Sequence, residues 1–537
     1  MKNKSLNMNL ISLFVSSCVF LYIFGYNFLL SNTTFFYFFD HTLPLTGYFA
    51  YINDSWHFPL GVTDKIFPGE EFSILWTDSI PIYSFILKII YSVTGFKLSN
   101  PLPLWYLICY LLLGFYIGKV LQLRVKNYFY YILSIILLVN TPLMVHRMLF
   151  HAALCAHWLI VASIYYYLLN KENNFNKLIP YAVNTGISIF IHPYLFTIIL
   201  PIYIVSLYQA LRKDGFNKIK NSLTTFITIL ILYFLTFASN FATATFRRPD
   251  YYKYGAEFNS FFCGEFPNSF IDKYLWCSPP YTQFSKEGYA YFGIGIIFLG
   301  LLILLQPKKF FKSVKNNLFL SLTLFSMLIY SLGNKWKIAH VQFFEFEPLY
   351  LHKKILEVFR ATGRYTWAFY YFVCIYLIFL LHRIGKLKYI ILVLALIFQL
   401  SEASNNYAGK SSWFQRNDNI ISQIELSKTM YRNNPNEVLH VLPDERCEFP
   451  YIDHYIVALK YLEYGGTIHS TRTARLRIQE EICKDYNIQK SITTYSPYHF
   501  VIHDLNKFDA NKFNYTCTTF EGIENKNIRP AYCKLNN

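Results

Sequence analysis

The sequence predicts a mainly α-helical polytopic membrane protein with about eleven transmembrane helices, a large first external loop and a small C-terminal α/β extracytoplasmic domain. Three observations predict it. The 537 residues are 54% hydrophobic and only 15% charged, against roughly 25% charged in a soluble globular chain. Apolar runs of near-spanning length recur from Leu10 to Leu400. Lys and Arg exceed Asp and Glu by 17, and the excess sits in short segments between those runs. The 52 Phe and 46 Tyr also exclude a disordered chain, which is poor in aromatic residues.

A membrane-crossing helix needs about 20 mostly apolar residues. The runs are Leu10–Leu30, Leu102–Leu121, Tyr128–Leu143, Ala152–Leu169, Leu178–Ile191 and Leu195–Leu211. Ser222–Phe241, Tyr289–Leu305, Leu318–Leu332, Tyr365–Leu381 and Tyr389–Leu400 complete the eleven. Val15-Ser16-Ser17-Cys18 fits a lipoprotein cleavage pattern. The apolar stretch before Cys18 is short, however, and the run continues past it, so residues 1–30 read as a retained first helix. Ile80–Val93 is shorter, has Pro81 near its start and contains Lys88; it reads as a re-entrant or interfacial helix.

Charge parity supports that reading. If Ile80–Val93 does not cross, the basic loops around Lys119, Lys171, Arg212, Lys308 and Arg383 share one side with Lys2 and Lys4, as the positive-inside rule requires. That side then carries eighteen basic residues against Glu172 and Asp214, and the rest of the chain balances to within one charge. The N-terminus is thus expected in the cytoplasm and the C-terminus outside the cytoplasmic (inner) membrane. No basic patch gathers on a soluble domain, so nucleic acid is excluded as a partner. Membrane lipids are the expected surroundings.

Residues 1–401 read as the transmembrane domain, with a first external loop at about 31–100, and 402–537 as the extracytoplasmic domain. In the tail, Glu437–Leu442 and Tyr498–His503 alternate like strands, while Tyr455–Tyr464 and Ala474–Tyr486 read as helices, the first stopped by Gly465-Gly466. Cys18, Cys109, Cys155 and Cys374 fall in spans. Cys263, Cys277, Cys447, Cys483, Cys517 and Cys533 fall outside, where an even number suggests disulfides. Proximity favours Cys263–Cys277 and Cys517–Cys533 among fifteen possible pairings. Neither CxxC nor zinc spacing occurs.

Side-chain chemistry concentrates at the predicted outer interface. Asp40 directly follows the first span, where partial desolvation would raise a carboxyl's pKa and suit it to act as a base; the alternative is an N-cap of a short helix. Asp78 sits in a helix-start context, Thr77-Asp78-Ser79-Ile80-Pro81. His146, Arg147, His151 and His157 lie between the third and fourth spans, and His192-Pro193-Tyr194 between the fifth and sixth. Arg360 and Arg364 precede the tenth. An arginine at this depth suits bidentate contact with a lipid phosphate, or plain headgroup anchoring. His151 and His157 are six apart and share no i,i+4 face, so they do not form a metal pair. His157 reads as a packing residue.

These residues fall into motifs that resemble the GT-C superfamily of integral-membrane glycosyltransferases, and more closely a family of bacterial polytopic proteins grouped with it as a domain of unknown function. The matching pieces are Asp40, then Trp56-x-Phe58-Pro59-x-Gly61, Thr77-Asp78-Ser79-Ile80-Pro81, His151-Ala152-Ala153-Leu154-x-Ala156-His157-Trp158 and His192-Pro193-Tyr194. Glu287-Gly288-x-x-Tyr291-x-Gly293, Arg360-Ala361-x-Gly363-Arg364 and Gly466-Thr467-Ile468-His469-Ser470 continue the series. The chain departs from the pattern at Phe39 and Phe150, where glycine is expected, and at Pro44, where a polar side chain is.

The resemblance implies an inverting transferase that takes a sugar from a polyprenyl-phosphate donor to a lipid or polysaccharide acceptor, with Asp40 as catalytic base. Asp78, Arg147, His151, His192, Tyr194, Arg360 and Arg364 would bind substrate or phosphate. It implies no certain cofactor and leaves a divalent cation open. The competing expectation is a non-catalytic membrane scaffold or flippase partner in envelope polysaccharide assembly, since a fold persists without its activity.

Overall fold

A computed structural model describes residues 2–30, 36, 39–238, 254–263, 285–339, 341–407, 418–433, 436–442, 455–471, 488, 492, 497, 499–519 and 529–536. The chain divides into two compact units. The first comprises Met1–Leu29, Pro103–Leu230 and Arg248–Ser412; the second, Leu30–Leu102, Ile231–Arg247 and Trp413–Asn537.

Among the described residues, six helices are long and apolar enough to cross a membrane: Ser5–Phe24, Leu102–Gln122, Ala152–Glu172, Pro193–Asp214, Phe216–Phe237 and Thr362–His382. Two bent pairs raise the number to eight if each counts as one span, Tyr128–Val139 with Pro142–Phe150 at 41° and Ile294–Leu302 with Pro307–Asn316 at 93°. Among the described residues the expected eleven is thus not confirmed, and the residues show where runs and spans differ. Asn140-Thr141-Pro142 breaks the third run, because proline removes a helical N–H and restricts the residue before it. Leu178–Ile189 and Leu318–Ser331 have only 12 and 14 residues, short of the hydrocarbon thickness. Leu387–Tyr407 has 21 but ends in Ser401, Glu402 and two asparagines. Ile80–Val93 forms one helix, Pro81–Thr94, with Pro81 in its first turn and Gly95 closing it at φ 72°.

Small residues bring the first unit's helices close. Gly114 and Gly118 stand one turn apart on Leu102–Gln122, and a Cβ at Gly114 would fall 2.7 Å from Ser16 Cβ. A Cβ at Gly118 would fall 2.9 Å from Ser12 Cβ. Without lipid-exclusion as a driving force, such close approach is how apolar helices associate. Buried Gln399 and Glu402 face the start of Ile294–Leu305, accepting from Gly295 N and Ile294 N at 3.1 and 2.9 Å. They satisfy helix-end donors that have no intrahelical partner.

In the second unit the first loop and the tail fold together. Helix Thr42–Ile52 is buried along its whole length and packs on Tyr455–Glu463. Asn53 Nδ2 donates to Leu462 O (2.6 Å), Lys97 Nζ to Glu463 O (2.7 Å) and Lys65 Nζ to Gly465 O (2.9 Å). A parallel bridge pairs Ile66 with Ile468. The tail carries a five-stranded sheet in the order Thr467–Ile468, Val438–Leu442, His499–Ile502, Ala531–Leu535, Tyr515–Thr519. Its first three strands are parallel and the last two pair antiparallel. Three expected tail elements are present within a residue or so of their limits; the expected helix Ala474–Tyr486 lies outside the described residues. Cys517 and Cys533, opposite each other across the last strand pair, form a disulfide. Cys263 is disulfide-bonded, while Cys277, Cys447 and Cys483 lie outside the described residues. Cys18, Cys109, Cys155 and Cys374 are free.

Candidate functional site

Five of the sequence-predicted site residues gather in the first unit around one carboxylate. The break at Asn140-Thr141 restarts the chain as helix Pro142–Phe150 and turns Arg147 inward, where it is 2% exposed. Its Nη1 donates to Glu287 Oε2 at 3.0 Å and its Nη2 to Glu287 O at 3.3 Å. From the other side Arg364 Nε donates to the same Oε2 at 2.8 Å. The backbone permits this because two glycines cross. A Cβ on Gly363 would lie 2.5 Å from Gly288 Cα, so only glycine lets the turn Ser285–Gly288 rest against Thr362–Tyr365. That contact sets the carboxylate and the guanidinium of neighbouring residues side by side.

Burial alone would raise the Glu287 carboxyl, but the Arg364 and Arg147 guanidiniums, helped by His151, hold it well below the usual carboxylate range. Two guanidiniums thus meet on one carboxylate. Aromatic faces support both cations: Arg364 lies 4.2 Å over Tyr194 and Arg147 5.0 Å over Trp367.

The His192-Pro193-Tyr194 turn braces the same place. His192 Nδ1 accepts from Tyr194 N at 3.1 Å, capping helix Pro193–Asp214. With Nδ1 as acceptor, the neutral ring carries its proton on Nε2. His151 meets His192 edge to face, centroids 5.5 Å apart. Tyr194 OH accepts from Ala361 N at 2.8 Å, which ties this turn to the Arg360–Arg364 segment. Arg360 itself lies 4.8 Å over Tyr254. His157 is fully buried, with Nδ1 2.9 Å from Tyr371 OH, a packing role.

Next to the cluster, helices Pro193–Asp214 and Leu318–Ser331 leave an open, apolar groove of about 630 Å³ lined by Pro201, Ile204, Phe319, Leu322, Tyr330 and Tyr365. Of its lining residues, Tyr365 directly follows Arg364 in the chain.

Asp40 and Asp78 belong to the second unit. Asp40 is half-buried in the short 3₁₀ turn Phe39–His41, beside fully buried His41. The N-cap of the following helix is His41, not Asp40. Asp78 likewise starts no helix: it closes the turn Ile74–Thr77 at φ 49°, and Ile80 precedes Pro81–Thr94. Asp tolerates that left-handed conformation better than most residues. A Cβ on Gly47 would come within 2.0 Å of both Thr77 Oγ1 and Ser79 Oγ, so this motif positions a tight helix crossing.

Glu287 is the central residue that the sequence reading left out of the site. The signal was present: it stands in the Glu287-Gly288 motif just before an apolar run, and two arginines taken out of water need a counter-ion. Residues 13–404 match the family model described as Domain of unknown function (DUF6311). No curated protein matches the chain.

Proposed function

Since the chain belongs to that family of domains of unknown function, its match spanning most of the sequence, we propose its activity from its own residues. It is an inverting, GT-C-type membrane glycosyltransferase that moves a sugar from a polyprenyl-phosphate donor to an envelope acceptor at the outer face of the membrane. One observation carries this: two buried guanidiniums, Arg147 and Arg364, meet on Glu287 in the same unit as an open apolar groove whose lining includes Tyr365, the residue after Arg364. A lipid phosphate has the complementary form, an anionic head on a long apolar tail. The isoprenoid would lie in the groove past Tyr365, and its phosphate would meet Arg364, Arg147 and His192.

In the reaction, the acceptor hydroxyl oxygen bonds to the anomeric carbon from the face opposite the phosphate. The bond from that carbon to the phosphate oxygen breaks, and its electron pair leaves with the polyprenyl phosphate. On the sequence resemblance, the base that takes the hydroxyl proton is Asp40. The arginines stabilise the charge that develops on the leaving phosphate, and Glu287 holds them in place. The segregation of basic loops supports an N-terminus in the cytoplasm and a C-terminal domain outside the inner membrane.

The test is complementation of a deletion strain, read as surface glycans and lipid-linked sugars. Wild type should restore the glycan and clear the accumulated polyprenyl-linked donor, while Asp40→Asn and Arg364→Gln should do neither although inserted at normal levels. If Asp40→Asn restores the glycan fully, Asp40 is not the base and the chain acts as a scaffold or flippase partner in assembly.

A further inference from the structure

The helix Pro307–Asn316 takes no part in the chemistry above. It leaves the apolar helix Ile294–Leu302 at 93° and ends just before another, Leu318–Ser331. None of its ten residues is buried. It carries Lys308, Lys309, Lys312 and Lys315 and no acid. At 3.6 residues per turn, Lys308, Lys312 and Lys315 share one face and Lys309 flanks it; Phe310 and Val314 lie opposite and half-buried, with Phe310 6.0 Å from the Tyr376 ring, while Phe311 flanks the lysine face beside Lys315. Phe311 is 67% exposed.

Further cations gather at this helix. Lys171 Nζ donates to Asn316 O at 2.9 Å, and Arg383 faces Tyr376, whose hydroxyl meets Ser313. The acid beside Lys171, Glu172, is engaged by Arg124 at 2.6 Å.

We propose that Pro307–Asn316 is a docking surface for anionic lipid headgroups, lying in the membrane interface with exposed Phe311 toward the acyl chains and its lysines on headgroup phosphates. The charge pattern and the right-angle turn between two apolar helices select this occupant. A basic helix with an exposed phenylalanine partitions into the headgroup boundary, and each lysine at an anionic surface adds about fivefold to affinity. The surface would fix the height of the neighbouring helices in the bilayer, independently of what the Arg147–Glu287–Arg364 cluster binds.

The full-length protein in nanodiscs with and without phosphatidylglycerol provides the test, with retained lipids counted by native mass spectrometry. Wild type should retain phosphatidylglycerol over phosphatidylcholine, less so at high salt. The K308Q/K309Q/K312Q/K315Q variant should lose that preference by at least about fiftyfold, and the corresponding fourfold Lys→Arg variant should keep it. Equal retention by wild type and the glutamine variant would overturn the proposal, as would a preference for RNA over anionic lipid. Because removing four lysines can also disturb insertion, a nitroxide on Phe311→Cys in a Cys18→Ser background gives an independent reading. It should sit at acyl-headgroup depth, and a probe reached only by aqueous quencher would sink the idea.

Discussion

In the first unit Glu287 is held by two guanidiniums delivered from distant segments, Arg147 and Arg364. In the second, Asp54 is held by its own loop: it accepts from Ser55 N (2.8 Å), Asp64 N (2.7 Å) and Thr63 Oγ1 (2.8 Å), with His57 Nε2 at 3.2 Å. Both carboxyls are pulled below their ordinary range against the opposing pull of burial. The means differ. Asp54 is satisfied by local backbone and hydroxyl donors, so it braces the turn between Asp54 and Asp64. The Glu287 cluster is instead assembled from three segments far apart in the chain. A buried charge satisfied by its own loop reads as scaffold; cations brought from distant segments onto one carboxylate read as a built site.

Four measurements can break or sharpen that contrast. The largest expected effect is catalytic: Asp40→Asn should lower sugar transfer by about 10²–10⁴-fold, the range for loss of a positioned base, with unfolding temperature unchanged. Transfer assays on purified protein with a polyprenyl-phosphate sugar would show it, and near-normal turnover would remove Asp40 from the chemistry. Next comes Glu287→Gln, which removes the carboxylate that two buried guanidiniums share and should cost about 3–5 kcal/mol, seen as a lower unfolding temperature in detergent. An unchanged temperature would mean that Glu287 does not hold the two arginines in place.

Gly363→Ala should cost about 1–3 kcal/mol by overpacking against Gly288, and should weaken lipid-phosphate binding because it pushes Arg364 away from Glu287. Normal binding in a destabilised variant would separate packing from recognition. The smallest effect belongs to the second unit. Asp54→Asn should cost about 1 kcal/mol, read as faster hydrogen exchange of the amides between residues 54 and 64. The sign with pH follows from the depressed carboxyl: its stabilisation is complete above the ordinary aspartate value of about 3.9 and fades as pH falls through the lower folded value. A loop that loosens on raising the pH instead would contradict this assignment.

Six helices were legible in the sequence because hydropathy is a local, additive property, and each lies on a run identified from composition alone. The strands at 438–442 and 499–502 and the helix Tyr455–Glu463 were legible for the same reason, through alternation and a Gly-Gly stop. Run counting went beyond the six to eight spans among the described residues, since apolar content alone does not show where a residue such as Pro142 bends the backbone or where Glu402 and Gln399 bond to a neighbouring helix. Arg147, His151, His192, Tyr194 and Arg364 were legible as chemistry-bearing side chains near span ends, but not as one cluster. Their centre, Glu287, is separated from Arg147 by 140 residues.

By itself, the sequence determined that this chain carries helices apolar enough to cross a membrane, roughly where they run, and which ends of them carry charge. Those follow from side-chain transfer free energies summed along short windows. Only the tertiary structure decided that the first loop folds with the tail, through bonds such as Asn53 to Leu462 across 409 residues, and that two arginines share one carboxylate. Such pairings depend on close backbone approach, at Gly288 and Gly363 above all, and on the electrostatics of partners far apart in the chain, which no local window contains.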